Sequence, residues 1–269
     1  MQSALLNQLG QIVREVAERE IAQRFLKLAP SDVIGKPSEE DPTDLVTAAD
    51  RAAEAELTSR LPELVRGSFV VGEEAVAADA SVLERLRGSA PVWIVDPLDG
   101  TRNFAAGKGP FGCMVALAQQ GALLASAIYL PLTGEMYLAE RGRGAYRDGV
   151  RIEPRAPSTG VLSGTVYVRY MPEAGAAEIT ARAAAHAQKP DVMCAAHEYT
   201  ELASGRKDYV HYYRLMPWDH APGALLLREA GGVTRHPDGR EYDLFDRRES
   251  TLASPDAATW QRARRELFG

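Results

Sequence analysis

Leu5, Leu9, Ile12 and Val16 recur at helical spacing near the start of the chain, and Ile21 and Phe25 continue the apolar set. This pattern predicts a helix over residues 4–28, stopped by Pro30. Residues 31–44 then turn polar and acidic, with Glu39-Glu40-Asp41-Pro42 among them, and read as a mobile loop. Thr47 with Asp50 three residues on is an N-cap signal for a helix through about Leu61. Short apolar runs follow. Ser68–Val71, ended by Gly72, and Val92–Val95, running into Asp96-Pro97, predict strands. Phe111–Ala118 and Ala122–Leu130 predict a hairpin about Gln119-Gln120-Gly121. Glu135–Ala139, Gly144–Arg147 and Val150–Ile152 predict further strands joined by turns such as Arg147-Asp148-Gly149.

Pro154, Pro157 and Ser158 break the pattern, and strands and helices alternate beyond them. Strands are predicted at Val161–Val168, Asp191–Cys194, Tyr209–Tyr213 and Thr251–Ser254. Helices are predicted at Ala174–Ala187, His197–Ser204, Asp219–Ala230 and Asp256–Leu267. The helix at Asp219 carries Pro222 in its first turn and stops at Gly231-Gly232. The expected fold class is α/β, with an α+β part over residues 1–154 and an α/β part over 155–269.

The 269 residues suit one large domain or two coupled ones, at roughly 100–200 residues per domain. With 31 Lys+Arg and 37 Asp+Glu, the net charge of −6 lacks the basic footprint of a nucleic-acid binder. Cys113 and Cys194 form no CxxC pair, which disfavours a thiolate zinc site or a disulfide scaffold. Both read as small buried apolar residues. The first residues show no charged-then-apolar leader, and the most apolar stretch, 113–132, is split by a polar turn. The expectation is a cytoplasmic protein with no membrane and no nucleic-acid partner.

Three acidic clusters change the picture. Glu73-Glu74 follows one predicted strand, Asp96-Pro97-Leu98-Asp99-Gly100-Thr101 follows another, and Trp218-Asp219 opens a helix. Strand C-terminal ends and helix starts converge in the crevice where open α/β sheets bind ligands. Several carboxylates held together repel unless cations neutralise them, and hard divalent cations take oxygen donors. Gly100 permits a close backbone approach, and the Gly100 and Thr101 amides offer an anion cradle. Taken singly, Glu73-Glu74 is most simply a solvated turn, Asp96 a turn former and Asp219 a helix cap.

Taken together, Gly72-Glu73-Glu74, the run Trp93 to Phe104 around Asp96-Pro97-Leu98-Asp99-Gly100-Thr101, and Trp218-Asp219 with Glu229-Ala230-Gly231-Gly232 resemble the inositol monophosphatase family. Asp44-Leu45-Val46-Thr47-Ala48-Ala49-Asp50 fits the family's N-terminal signature. The resemblance implies an αβαβα layered sandwich and a Mg2+-dependent, lithium-sensitive phosphomonoesterase, commonly a homodimer, acting on a small-molecule phosphate ester. It implies two to three Mg2+ ions held by Glu73, Asp96, the Leu98 carbonyl, Asp99 and Asp219. Asp50, Glu73 and Thr101 would activate a water for in-line attack, and Gly100 and Thr101 would bind phosphate. Asp99, Ala195, Tyr212, Arg214 and Asp219 would face the rest of the substrate.

Two positions depart from the family pattern. Seven residues before Asp219, where inositol-specific members carry a glutamate, stands Tyr212, with Arg214 beside it. A family lysine on the mobile loop falls near Glu39. These departures open alternatives in substrate: a nucleotide 3′-phosphate, fructose bisphosphate or histidinol phosphate in place of an inositol phosphate. A non-catalytic regulatory role on the same fold is a further alternative. His197, Tyr199, His211 and His220 are additional candidates for the pocket wall. Arg214 suits a second anionic group on the substrate.

Overall fold

The structure, a computed structural model, describes residues 2–36, 41 and 43–269. In chain order it contains α1 (Ala4–Val16), β1 (Val33–Gly35), β2 (Leu45–Thr47), α2 (Ala48–Leu64), β3 (Phe69–Gly72) and α3 (Glu73–Ala78). Next come β4 (Val92–Asp99), α4 (Thr101–Ala105), β5 (Gly112–Gln119), β6 (Ala122–Leu130), β7 (Glu135–Glu140), β8 (Gly144–Arg147) and β9 (Val150–Arg151). The remainder is β10 (Ser163–Val166), α5 (Glu173–Ala183), β11 (Ala187–Gln188), α6 (Ala195–Ala203), β12 (Tyr209–Arg214), α7 (Pro217–Glu229), β13 (Val233–Arg235), β14 (Arg248–Ser254) and α8 (Ala257–Phe268).

A seven-stranded sheet runs β3-β4-β5-β6-β7-β8-β9, and a five-stranded sheet runs β11-β10-β12-β14-β13. Period-two alternation along β4 splits its side chains between two cores. Trp93 and Val95 pack with Leu6, Leu9, Leu57 and Leu61 of α1 and α2. Val92 and Ile94 pack on the opposite face with Tyr199 and Leu225 of α6 and α7. The same α6–α7 layer meets Val210, Tyr212 and Ala253 of the second sheet. Tyr209 and Leu252 face the other way, onto Ile179, Trp260 and Leu267 of α5 and α8. The order α–β–α–β–α is the layered sandwich implied by the resemblance.

One register decides where the chemistry sits. β3 and β4 are parallel, with Gly72 opposite Val95. The next residues, Glu73 and Asp96, therefore leave the register side by side. β4 pairs regularly with β5 up to Asp96, and the register then shifts between Asp96 and Asp99. Residues three apart on a regular strand face opposite sides, so this bulge lets both aspartates line one cleft.

Several boundaries differ from expectation. The first helix ends at Val16 and continues as a wider turn, Ala17–Ile21, and a tight one, Ala22–Arg24. Loosening the helical pitch keeps Ala17 and Ile21 fully buried. The segment read as a loop, 31–44, contains a short strand, Val33–Gly35, which pairs antiparallel with Leu45–Thr47 just beyond it. Glu39 lies outside the described residues, as do its neighbours 37–40. Asp191–Cys194 is not a strand. Met193 sits at φ +50°, and its N–H donates to Asp191 Oδ1 at 2.8 Å, an aspartate turn that extended backbone cannot make. The helix expected over 174–187 stops at Ala183, and Ala187–Gln188 pairs with β10 as an edge strand instead.

Candidate active site

Thr47 caps α2 and draws in the first site residue. Its N–H and Oγ1 both contact Asp50 Oδ2, at 2.8 and 2.5 Å, closing a capping box. The other Asp50 oxygen, Oδ1, accepts from Thr101 Oγ1 at 2.9 Å, and the same hydroxyl lies 2.8 Å from the Leu98 carbonyl. Asp50 is 1% exposed. Burial, reinforced by the charge of Glu73, pushes its carboxyl up to about 6.

Pro97 shapes the second cluster. Asp96 Oδ1 accepts the Leu98 N–H at 3.1 Å across it. Gly100 follows at φ +85°, and a Cβ there would stand 2.9 Å from the Pro110 carbonyl oxygen. Only glycine takes this left-handed turn without strain, and it leads directly into α4. Asp99 Oδ2 is held by the Ala196 N–H at 2.7 Å and by Cys194 Sγ at 2.9 Å. Cys194 is thus buried, as expected, but it is also a donor that locks the β4 end to the start of α6. Burial and the Asp99 charge raise its thiol well above the usual range, so it stays protonated for that role.

Pro217 occupies the first turn of α7, and Asp219 follows in the same turn. Its carboxyl is in hydrogen-bonding contact with that of Asp96. Two buried carboxylates in contact require a proton or a cation between them. Burial is the first cause of every shift in this group. Asp99 is raised to about 6 and Asp219 to about 8, with Glu73 adding repulsion, and Asp96 is raised well above the carboxylate range.

Asp41, Asp44, Glu73, Asp96, Leu98, Asp99, Gly100, Thr101 and Asp219 line one cleft of about 130 Å3. Among the described residues, no three acidic, His or Cys side chains are drawn tightly around one point. The donors flank an open cleft instead of forming a closed cage. An all-oxygen set with a carboxyl–carboxyl contact at its centre fits hard divalent cations that keep water and substrate among their ligands.

Three supporting residues escaped the sequence reading. Lys36 Nζ lies 2.8 Å from both Glu73 Oε1 and Glu74 Oε1. Burial works to lower its ammonium, but the two glutamates outweigh this and raise it. A lysine does therefore serve the acidic cluster, three positions before the one expected near Glu39. Glu54 accepts the N–H groups of Glu74 and Ala75, both at 2.8 Å, and so anchors the start of α3, where Glu73 stands. Its carboxyl is pushed up by burial to about 7. Asp41 gathers Arg102 Nη2 at 2.7 Å, Arg169 Nη2 at 3.0 Å and the Tyr170 hydroxyl at 2.7 Å. Each signal is tertiary: the partners lie 20–129 positions apart.

A second cavity, of about 160 Å3, opens beside the cleft and shares Asp99, Tyr170, Met193, Arg214 and Asp219 with it. Ala195, Tyr212 and His220 line it as well. His197, Tyr199 and His211 do not. His211 is fully buried with Nε2 3.1 Å from Ser250 Oγ, and burial pushes its imidazole down to about 3. Tyr199 lies beneath the wall, where its ring stacks on Tyr212. Period-two alternation on β12 turns His211 away from Tyr212, so the two never shared a face.

The model of the inositol monophosphatase family matches residues 2–266. An inositol-1-monophosphatase of Mesorhizobium japonicum is 34% identical over 251 residues, covering 91% of this chain and 89% of that protein. A protein of Pseudomonas aeruginosa named Nus factor SuhB is 31% identical over 225 residues, covering 78% of each. Among solved structures, the extragenic suppressor protein suhB of Bartonella henselae superposes with a TM-score of 0.82 at 27% identity, covering 99% of both chains. No described helix is long and apolar enough to cross a membrane. The chain belongs to the inositol monophosphatase family and is a phosphomonoesterase of that type.

Proposed function

We propose that the protein hydrolyses a small phosphate monoester in the presence of Mg2+, by in-line attack of water. The carrying observation is the buried contact between Asp96 and Asp219 in a cleft that Glu73, Asp99 and the Leu98 carbonyl also line. These five groups would hold two to three Mg2+ ions, which supply charge neutralisation to the phosphate and acidify a nearby water when bound. The Gly100 and Thr101 N–H groups, at the turn into α4, bind the phosphate oxygens. Thr101 Oγ1 and Asp50 Oδ1 orient the attacking water and take up its proton. The new P–O bond forms as the ester P–O bond breaks, and the alkoxide leaves on the opposite side and takes a proton from solvent. Residues 1–154 supply most of the metal and phosphate side, and residues 155–269 supply Asp219 and the substrate side. The family's usual homodimer is the expected assembly, and light scattering of the purified protein reads it directly.

A regulatory binding role without catalysis is the weaker reading, because the full acidic set surrounds one cleft. The test is phosphate release from inositol 1-phosphate, adenosine 3′-monophosphate, fructose 1,6-bisphosphate, histidinol phosphate and glycerol 2-phosphate by chelator-treated protein as Mg2+ is added. Saturable activation on at least one ester supports the proposal. No release on any ester at any Mg2+ concentration sinks it.

A further inference from the structure

The second cavity has a wall that nothing in the hydrolytic chemistry requires. Three tyrosine rings stack in series. Tyr199 and Tyr212 have centroids 5.5 Å apart, Tyr212 and Tyr167 5.4 Å, and both pairs are inclined by 20°. Offset stacking of this kind is favourable between flat rings. The stack is graded in burial: Tyr199 is 0% exposed, Tyr212 5%, and Tyr167 is half-buried and lines the cavity. The series therefore ends at the cavity with Tyr167 as its outermost ring.

Tyr167 is held rigidly in that place. Its hydroxyl donates to Glu198 Oε1 at 3.0 Å. Glu198 is fully buried and paired with Lys207, which is 4% exposed and also donates to Thr165 Oγ1 at 3.0 Å. A buried ion pair beneath a ring is an expensive support, and here it holds a half-buried ring that lines the cavity. Across the cavity, Tyr170 carries the guanidinium groups of Arg214 and Arg169 at 5.1 and 5.5 Å from its centroid. Met193 completes the rim in the left-handed region at φ +50°, 38% exposed. Strained backbone held in a rim is a mark of ligand-contacting segments.

The Tyr212 hydroxyl is buried and has no hydrogen-bond partner among the described residues. It does not stand in for the carboxylate that grips ring hydroxyls in inositol-specific members. Besides the carboxylates of Asp99, Asp191 and Asp219, which also line the cavity, the wall offers a flat apolar face and two guanidinium groups. A volume of about 160 Å3 corresponds to about five waters at roughly 30 Å3 each, room for one ring system.

Resting on the phosphatase reading above, we propose that the preferred substrate is a phosphomonoester whose alcohol carries a planar ring, as in a nucleoside monophosphate. The phosphate lies in the acidic cleft, and the base extends the Tyr199–Tyr212–Tyr167 stack. The sugar spans the shared residues Asp99, Met193 and Arg214.

The test compares kcat/KM with Mg2+ for adenosine 2′-monophosphate, adenosine 3′-monophosphate, inositol 1-phosphate and glycerol 2-phosphate, in the wild type and in Tyr167→Leu and Tyr167→Phe. One of the adenosine esters is expected to exceed inositol 1-phosphate at least tenfold. Tyr167→Leu should lower the adenosine-to-glycerol ratio about tenfold, chiefly through KM, since a stacked base is worth a factor of this size. Tyr167→Phe should keep the ratio within threefold. A wild-type preference for inositol 1-phosphate overturns the proposal, whether or not the variants fold, and so does an unchanged ratio in Tyr167→Leu. If no ester is turned over, the hydrolytic reading fails separately. Calorimetric binding of adenosine 2′-monophosphate against inositol 1-phosphate to the wild type then decides the ring preference alone.

Discussion

The Thr101 hydroxyl lies 2.9 Å from Asp50 Oδ1, joining the first turn of α4 to the first turn of α2 across fifty-one residues. The same Asp50 carboxylate closes the capping box with Thr47. One side chain therefore fixes a helix start and aims the proposed proton acceptor. Asp50→Asn keeps one oxygen for these contacts and removes the charge. It should lower kcat by about 10²–10³ with KM changed less than threefold, the usual range for losing a positioned base. The loss of melting stability should stay near 1 kcal/mol, the scale of a weakened cap. Steady-state kinetics beside thermal unfolding checks both.

Buried carboxyls give the metal-free protein a definite pH response. Asp219 is raised to about 8 and Asp50 and Asp99 to about 6, burial first in each case. Their unfolded values lie near 4. Between about pH 4 and 8 the folded chain thus binds more protons than the unfolded chain, so its stability falls as pH rises through that window. In chelator the melting temperature should drop steadily from pH 5 to 8. Saturating Mg2+ should reduce or reverse that slope, because cations replace the protons. Parallel slopes with and without Mg2+ would contradict the cluster.

Lys36 contributes a positive charge to Glu73 and Glu74 at 2.8 Å from each. Lys36→Gln leaves two neighbouring carboxylates with less compensation. The chelated variant should melt several degrees lower than the wild type. Its gain in melting temperature on adding Mg2+ should be larger, since the site is then more negative. A Mg2+ titration followed by thermal unfolding reads both effects.

The support beneath the tyrosine stack can be tested by stability alone. Lys207→Met removes one member of a buried pair and strands Glu198, which is 0% exposed. Loss of about 3–5 kcal/mol is expected. Adding Glu198→Leu should recover most of it while removing the Glu198 acceptor of the Tyr167 hydroxyl. Denaturant unfolding of the two variants decides this.

Much of the fold was legible because period and punctuation agreed locally. The Phe111–Leu130 hairpin, the capped start of α2 and the Gly231-Gly232 stop of α7 carry their own signals. The acidic cluster was legible because Asp96-Pro97-Leu98-Asp99-Gly100-Thr101 is contiguous and makes a bulge and a left-handed turn. Lys36, Glu54 and Asp41 were not legible as partners. A lone lysine or glutamate gains meaning only when Glu73 is brought beside it by the parallel β3–β4 register. Asp191–Cys194 misled because its apolar residues suit a strand, whereas the Asp191 side chain captures the Met193 N–H and turns the chain. The tyrosine wall was half legible: Tyr212 lines the cavity, but Tyr167, just past β10, and Tyr199 on α6 join it only through tertiary packing.

The central claim is that the Asp96–Asp219 pair organises the hydrolytic site. The most direct measurement is the rate of phosphate release by Asp96→Asn at saturating Mg2+ and substrate. The account predicts a loss of at least 10³-fold, with a chelated melting temperature close to that of the wild type, since burial already holds Asp96 protonated there. Turnover within tenfold of the wild type would contradict it.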